Sequence, residues 1–361
     1  MRTPESNYIS GRELARRGPL VIKPEHARHY AQLSQIGIGL DGLAMDSALI
    51  GPAIGGAGTP AQFLQVWLPG LVKQITQVRM IDELCGVLTA GAWEDEEVIQ
   101  GTMEATGKAA LYGDTTNIPL ANYKSGYVRR TVVRFEQGFV VTTLEALRAA
   151  KANINAEAEK RSAATESLDI SRNRVGFYGY NAPETRTYGY LNDPVLPAYI
   201  SLPTNGGSPA SAAWADKNYL QLTADIRRMV ADLVVSGGGH INNKTLMTLA
   251  IPLGHGEYLG VTSDFGNSVQ EWLTKTYPGM RIVEVPELAG ANGGANAAYL
   301  MADAVQDSST DDGRVVAQVV PSRFQVIGVE KRAKGQVEDF SNATAGVTFK
   351  RPWAVRRYTG L

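Results

Sequence analysis

The longest regular pattern in the sequence lies between residues 144 and 174. This stretch contains no proline and no glycine, and it is rich in alanine, glutamate, lysine and arginine, which favour helix. Thr142 and Glu145 have the spacing of a capping box at its start. Its apolar side chains form a narrow stripe of Leu147, Ile154, Ala158 and Leu168. The pattern predicts one mostly polar helix of ~30 residues and ~45 Å.

A second region, from about residue 190 to 310, alternates between helical and strand-like patterns. Residues 222–233 place apolar side chains on one helical face, and this helix ends at a Ser-Gly-Gly-Gly run. Another helix begins with the capping box of Ser268 and Glu271. Stretches of strand composition occupy residues 245–251, 281–285 and 297–302. This order of helices and strands predicts a small α/β unit.

Strand-like composition also flanks a long segment rich in turns. Residues 127–141 are rich in valine, threonine and phenylalanine, which favour strands. Residues 107–121 contain glycine, asparagine and proline, and an acidic run at 94–97 comes before them. We expect a protruding hairpin, because a loop of this length is usually functional or engaged with a partner. Further extended stretches occupy residues 315–361.

The first part of the chain has a different character. Residues 1–60 combine scattered basic residues with small ones and end in a glycine and proline string at 51–60. Such a string offers little side-chain area to bury and many permissive backbone positions. We therefore expect an arm that a neighbouring surface orders. The sequence shows no secretory signal and no stretch suited to crossing a bilayer, which predicts an intracellular product.

The composition of the 361 residues excludes several classes of protein. With 44% hydrophobic and 20% charged residues, the chain is not of the disordered class. The 35 lysines and arginines against 36 acids give a net charge of −1, which argues against a basic surface for gripping nucleic acid. One cysteine, Cys85, excludes an internal disulfide and a cysteine-based zinc site. The 38 glycines and 17 prolines are together about 15% of the chain, against a usual ~12%, and indicate many turns.

No motif in the sequence predicts catalysis. The glycines of 37–42 match G-x-G-x-x-G, but no buried strand precedes them, so a chance match in a glycine-rich arm is the better interpretation. Gly107 and Lys108 lack the other residues of a P-loop. The histidines are His26, His29, His240 and His255, and none has the carboxylate spacing of a metalloprotease. The sequence therefore predicts no enzyme, no cofactor and no metal.

The two arms of the expected hairpin carry opposite charges. The acidic run lies on the first arm, and Arg129, Arg130 and Arg134 lie on the second, where strand alternation puts Arg130 and Arg134 on one face. Two interpretations stand side by side: ordinary cross-strand pairing, or contacts with complementary charges on a neighbouring subunit. For the second, the candidate inter-subunit residues are Glu94, Asp95, Glu96, Glu97, Lys108, Lys124, Arg129, Arg130 and Arg134.

Two parts of the sequence carry a family resemblance. One comprises Thr142–Lys151, Ser171–Gly179 and Gly189–Pro194, and the other runs from Phe324–Lys331 to Phe349–Arg357. In this order they resemble the phage and prophage major capsid family formerly catalogued as a domain of unknown function. The resemblance covers about residues 60–361. It implies the α+β fold of tailed-bacteriophage major capsid proteins, the Hong Kong 97-type fold.

The resemblance also implies a division of the chain into the parts of that fold. The implied parts are an N-terminal arm (1–75), an entry into the peripheral P-domain (76–93), an extended E-loop (94–135), the P-domain with its long spine helix (136–189), an α/β A-domain (190–314) and the returning P-domain strands (315–361). Arm and hairpin would each be ordered by a neighbour, as their composition already indicates.

A member of this family is expected to assemble into hexamers and pentamers that form the icosahedral head around the phage double-stranded DNA. The implied partners are further copies of the chain, a portal protein, a scaffolding or assembly protein on a separate chain, a cement or decoration protein, and DNA contacted non-specifically, with no membrane. The implied place is the virion, after assembly in the cytoplasm of the host bacterium. An encapsulin-like shell that stores cargo enzymes is the alternative.

Some relatives form an isopeptide bond between a lysine of the E-loop and an asparagine of the P-domain. In this chain the resemblance assigns Lys108 or Lys124 to the lysine and Asn342 to the asparagine, with Glu338 as the nearby carboxylate. Lysine and asparagine are common in turns, so the assignment is a hypothesis.

Overall fold

The computed structural model describes residues 78–114, 118–151, 154–207, 210–307 and 309–361. The expected arm at residues 1–75 lies outside these ranges, together with the glycines of 37–42, His26 and His29. Within the described ranges both helices and strands are abundant, which confirms the α+β class.

The helices and strands of the described residues alternate irregularly along the chain. The helices are α1 (Ile81–Cys85), α2 (Thr143–Lys151), α3 (Ala156–Tyr178), α4 (Tyr219–Ser236) and α5 (Val269–Thr276). The strands are β1 (Val87–Leu88), β2 (Glu97–Thr106), β3 (Asn122–Thr131), β4 (Val133–Thr142), β5 (Tyr199–Ser201), β6 (Met247–Pro252), β7 (Met280–Val285), β8 (Ala297–Ala302), β9 (Val316–Val319), β10 (Ser322–Arg332), β11 (Gly335–Thr344), β12 (Val347–Phe349) and β13 (Val355–Thr359). Short 3-10 turns lie at Trp214–Asp216, His255–Gly260, Pro286–Leu288 and Pro352–Ala354.

The largest sheet has the strand order β5-β13-β8-β6-β7. Strands β6 and β8 are buried along their whole length and pair antiparallel, while β6 and β7 are parallel. Helix α4 packs against this sheet with the face that the sequence predicts, burying Leu222, Ile226, Met229, Val230 and Leu233. This sheet and its helices form the α/β unit expected between residues 190 and 310.

One strand of this sheet comes from the end of the chain. Strand β13 pairs in parallel with β5 and antiparallel with β8, and its Tyr358 is fully buried there. The resemblance implied P-domain strands for all of residues 315–361, and the last strand of that range pairs in the sheet of the α/β unit. Strand composition shows that a segment is extended, but not which sheet it joins.

The region of the long helix is built on an antiparallel sheet of order β10-β11-β4. Helix α3 covers β4 and β11, and the buried side chains between them are Phe139, Val141, Ala164, Leu168 and Phe340. A smaller sheet, β1-β9-β12, is joined to α3 through Arg172. The Arg172 guanidinium donates to Gln318 of β9 (2.8 Å) and to Asp82 of α1 (2.8 Å).

The predicted single helix of ~30 residues is two helices, α2 and α3. Asn155 separates them, because its side chain accepts a hydrogen bond from the Ala158 N–H (3.1 Å) and so caps the start of α3. At the start of α2, the Glu145 N–H donates to Thr142 Oγ1 (3.3 Å). The Glu145 carboxylate binds Lys160 at 2.7 Å. Hydrogen bonds from Lys160 and from the Thr142 backbone lower the pKa of Glu145, so both halves of the predicted box are present.

The stretch 127–141 is likewise divided into two strands. The buried Val132 separates β3 from β4, and its N–H donates to the Glu96 carbonyl oxygen (2.8 Å). Strand β3 pairs with β2, whereas β4 pairs with β11. Arg130 and Arg134 therefore lie on different strands, and the expectation that they share one strand face is wrong.

Candidate assembly interface

Strands β2 and β3 together form a two-stranded antiparallel unit that we call the hairpin ribbon. Its register pairs Glu97 with Thr131 at one end and Thr106 with Asn122 at the other. Alternate residues of paired strands point to the same side. One face of the ribbon therefore carries Ile99, Met103, Tyr123 and Tyr127, with Glu97 and Arg129 at its root end. The other carries Gln100, Thr102, Glu104 and Lys124.

The first of these faces is apolar and uncovered by the described part of the chain. Its four large side chains are between 52% and 75% exposed. The apolar side chains of the tip beyond the strands, Leu111, Tyr112, Ile118 and Leu120, are between 83% and 95% exposed. Single exposed apolar residues are ordinary, but a contiguous set of this kind marks a surface that binds a partner.

Where the ribbon joins the rest of the protein, Arg130 is buried and only 4% exposed. Its Nη2 donates to Asp193 Oδ2 at 2.6 Å, and its guanidinium lies 4.8 Å from the centre of the Tyr188 ring. Burial raises the pKa of Asp193, against the opposing effects of Arg130 and of the Val195 N–H. Arg130 is therefore bound inside its own chain and exposes little surface for the predicted inter-subunit contact.

The other two arginines of the predicted set also have partners in the same chain. Arg134 donates from Nε to the Trp93 carbonyl oxygen (2.7 Å) and from Nη2 to that of Asp95 (2.8 Å). Arg129 lies 3.9 Å from Glu97 across the ribbon, in an exposed pair of a kind that contributes little to stability. Cross-strand pairing thus describes Arg129, while Arg134 holds the loop that precedes β2.

The remaining predicted residues of the hairpin are exposed. They are Glu94, Asp95, Glu96, Glu97, Lys108 and Lys124. Asp95 also has a local role, since its Oδ2 accepts from the Ala92 N–H at 2.7 Å. Lys124 is paired in register with Glu104 on the polar face of the ribbon. These side chains border the apolar face and tip.

The residues assigned to the crosslink lie in different environments. Asn342 is fully buried, and its Nδ2 donates to the Leu168 carbonyl oxygen (2.8 Å), whereas Lys108 and Lys124 are exposed on the hairpin. Glu338 is buried and binds Arg161 at 2.7 Å. The structure does not bring either lysine to Asn342 within one chain, so the hypothesis requires a neighbouring copy. A denaturing gel of assembled shells tests it: a ladder supports the bond, and a single band at the monomer mass excludes it.

Sequence reasoning missed a group of charged residues that joins distant parts of the chain. Arg351 binds Asp307 and Asp311, and Lys350 binds Asp311 and Asp312. Hydrogen bonds from Arg351 lower the pKa of Asp307 and hold that of Asp311 at about 2. The aspartates of residues 307–312 and the Lys350-Arg351 pair are visible in the sequence, but their pairing across ~40 residues is not.

The described residues hold no group of His, Cys, Asp and Glu side chains that could bind a metal ion. Cys85 is buried, and burial raises the pKa of its thiol, which makes it a poor nucleophile. His255 lies beside Asn296, and His240 beside the Trp353 ring. Over the same residues, no helix is long and apolar enough to cross a membrane.

The fold is shared with solved capsid structures. The capsid of Myoviridae phage XM1 aligns with a TM-score of 0.65 at 17% identity, covering 85% of this chain and 100% of that one. The capsid of a native GTA particle aligns with a TM-score of 0.58 at 8% identity, covering 86% and 99%. A structure from Mycobacterium phage Bobi aligns with a TM-score of 0.55 at 11% identity, covering 82% and 94%. These likenesses confirm the predicted Hong Kong 97-type fold.

The fold places the chain in the class of proteins with a Hong Kong 97-type fold. A family model described as Pa193 gp26 major capsid protein matches residues 53–360. The chain belongs to the Pa193 gp26 major capsid protein family, and it is a phage capsid shell protein. No curated protein matches the chain significantly. The family supports the capsid function over the encapsulin-like alternative.

Proposed function

We propose that copies of this chain assemble as hexamers and pentamers into an icosahedral head that encloses the phage double-stranded DNA. The observation that carries this proposal is the apolar face of the hairpin ribbon, which the described part of the chain leaves uncovered. A two-stranded hairpin is marginally stable in water without a further layer. A second copy of the chain that covers the ribbon supplies this layer.

Strand β10 offers a surface that suits the ribbon. Its Val326 and Val329 are paired with Phe340 and Glu338 of β11, so they lie on the side of the sheet that α3 covers. Helix α3 covers β4 and β11, which leaves both valines about half exposed. Phe324 stacks on the Phe340 ring at 4.7 Å. We infer that this apolar shelf of β10 on one copy receives the apolar face of the ribbon from another.

The exposed charges around the ribbon then act at the edge of the interface. Glu94, Glu96 and Lys108 are exposed next to the two strands of the ribbon, and Lys124 is exposed on its polar face. Charged residues at the edge of an interface affect register and partner choice more than affinity. They would select the correct relative position of two copies, while the apolar side chains provide most of the free energy of binding.

The family supports a structural role and not an enzymatic one. Portal, scaffolding and decoration proteins are the expected further partners, and assembly in the host cytoplasm followed by residence in the virion is the expected course. With a net charge of −1, contacts with the packaged DNA would be non-specific and few.

Electron microscopy of the purified protein tests the proposal. We expect shells or capsomers from the wild-type chain. We expect assembly to fail in the double variant Met103→Ser/Tyr123→Ser, which removes apolar area from one face of the ribbon, and to persist in the control Gln100→Ser/Thr102→Ser on the opposite face. A wild-type chain that stays monomeric, or shells from the first variant at wild-type yield, contradicts the proposal.

A further inference from the structure

The root of the hairpin ribbon is tied to the chain segment 186–193 by several hydrogen bonds. Thr187 Oγ1 donates to the Thr131 carbonyl oxygen at 2.6 Å, and the Arg186 N–H donates to Thr131 Oγ1 at 3.1 Å. Next to them lies the ion pair of Arg130 with Asp193. Two consecutive residues of β3 therefore bind one segment that is more than 50 positions away in sequence.

This segment is itself held firmly by the body of the protein. The Tyr188 carbonyl oxygen accepts from the Val347 N–H of β12 at 2.9 Å. The Tyr190 N–H donates to the Gly176 carbonyl oxygen of α3 at 2.7 Å, and the Tyr190 side chain is fully buried. The segment is thus a fixed point between the smaller sheet and the end of α3, and whatever is bound to it takes its direction from both.

The ion pair is better suited to fixing a direction than to adding stability. Arg130 and Asp193 are both buried, and burial raises the pKa of the Asp193 carboxyl despite the arginine. Removing two charges from water costs about as much as their attraction returns, so a buried pair is weak evidence for stability. Arg130 Nε also lacks a hydrogen-bond partner among the described residues. What the pair does supply is one short contact, at 2.6 Å, that a slight rotation of β3 would break.

The direction of the ribbon at its root matters because a small rotation there produces a large displacement at its far end. A strand of ten residues, such as β3, spans about 33 Å, so a rotation of about 10° at the root moves the far end by about 6 Å. Such a displacement exceeds the spacing between neighbouring strands, which is about 4.8 Å. A ribbon that must reach an apolar shelf on another copy would then miss it by a whole strand.

We propose that Arg130 is a positioning residue that sets the direction in which the hairpin ribbon leaves the body, through Asp193 and the ring of Tyr188. This inference rests on the proposed docking of the ribbon on a second copy. It assigns to Arg130 a role within one chain, in contrast to the exposed Arg129 beside it, whose pair with Glu97 stays within the ribbon.

A distance measurement between two spin labels tests the inference. Thr102 on the polar face of the ribbon and Ser162 on α3 are exposed, and both can be replaced by cysteine with little change in shape. The native Cys85 is buried, so labelling is directed to the introduced pair. Labelled chains are diluted into unlabelled chains, so that the distances recorded by pulsed electron resonance are those within one chain.

We expect one narrow distance distribution for the labelled parent and for its Arg129→Met variant, and a broader or shifted one for Arg130→Met. Asp193→Asn keeps the shape of the side chain and removes its charge, and we expect it to broaden the distribution as well. If Arg130→Met does not fold, the distance distribution of Asp193→Asn alone tests the inference. Folded Arg130 and Asp193 variants with the distribution of the Arg129 variant, or a broad distribution in the parent, overturn the inference.

The same variants separate this inference from the proposed function. The distance measurement reports the direction of the ribbon within one labelled chain, whereas electron microscopy shows whether the parent forms shells. Shells from the parent together with an unchanged ribbon direction in Arg130→Met would overturn the positioning role alone. Failure of the parent to assemble would instead contradict the proposed function.

Discussion

Arg351 binds Asp307 through both carboxylate oxygens, with Nε 2.7 Å from Oδ2 and Nη2 3.0 Å from Oδ1. The same guanidinium binds Asp311, at 2.6 Å from Nη2 to Oδ1. The two acids lie between β8 and β9, and Arg351 lies between β12 and β13. These are two of the segments through which the chain passes between the α/β unit and the sheets next to α3. Arg351 therefore joins these two connecting segments to each other.

Replacing Arg351 with lysine tests how much this junction contributes. Lysine keeps the charge but not the planar fork that binds two carboxylates at once. We expect Arg351→Lys to lower the free energy of unfolding by about 2 kcal/mol, measured by urea unfolding. The control is Arg332→Lys, whose exposed pair with Glu330 should contribute less than about 0.5 kcal/mol. Equal stability of the two variants would contradict the role of Arg351.

The acids of this junction give the stability a defined dependence on pH. Hydrogen bonds from Arg351 lower the pKa of Asp307 and hold that of Asp311 at about 2, whereas both titrate near 4 in an unfolded chain. The folded state thus binds fewer protons, so the stabilisation is complete above about pH 4 and is lost as the pH falls towards about 2. Thermal unfolding followed by circular dichroism over this range should show the loss.

The double variant Asp307→Asn/Asp311→Asn should remove much of this acid sensitivity. An amide does not titrate, so the unfolding temperature of this variant should fall less steeply with pH than that of the parent. Asp264→Asn, at an exposed position, serves as the control and should keep the parental slope. If the unfolding temperatures of all three proteins fall equally steeply with pH, other carboxylates govern the loss of stability in acid.

Local patterns in the sequence predicted local structure well. The apolar face of α4 and the Ser268 cap of α5 are present, the latter with the Glu271 N–H donating to Ser268 Oγ at 3.2 Å. The errors arose where a short-range pattern was extended too far. Residues 144–174 favour helix throughout by propensity, yet Asn155 accepts a hydrogen bond from its own backbone neighbourhood and starts a new helix. A single polar residue outweighed the pattern around it.

The role of Asn155 can be measured directly. Asn155→Ala removes the acceptor for the Ala158 N–H, and we expect a loss of about 1 kcal/mol in the free energy of unfolding. Asn155→Asp keeps a capping oxygen and adds a charge that suits a helix N-terminus, so it should be at least as stable as the parent. Both are compared by chemical unfolding. An alanine variant as stable as the aspartate variant would show that the cap is not what separates α2 from α3.

The candidate interface was predicted in part. Strand composition and turn residues located the hairpin, and the charges on its arms were visible, but the sequence alone does not show that Arg130 turns inward. That depends on Asp193, which is 63 positions away, and on the break at Val132 that sends β4 into another sheet. The apolar face of the ribbon follows from the register of β2 and β3, because a shift of one residue would exchange the two faces.

The turn between β11 and β12 offers the sharpest test of the close packing beside the root of the ribbon. Gly346 has φ +77°, and an added Cβ would overlap the carbonyl oxygen of Tyr188, in the segment that also holds Arg130. Gly206 has a similar φ of +72°, but an added Cβ would meet nothing. At both positions the backbone conformation alone destabilises an alanine by about 1 kcal/mol.

We expect Gly206→Ala to lose about that much in free energy of unfolding, and Gly346→Ala to lose more than about 4 kcal/mol or to remain insoluble. Similar stability of the two variants would show that the segment can move away from β12, and would weaken the case that it is a fixed point for the ribbon.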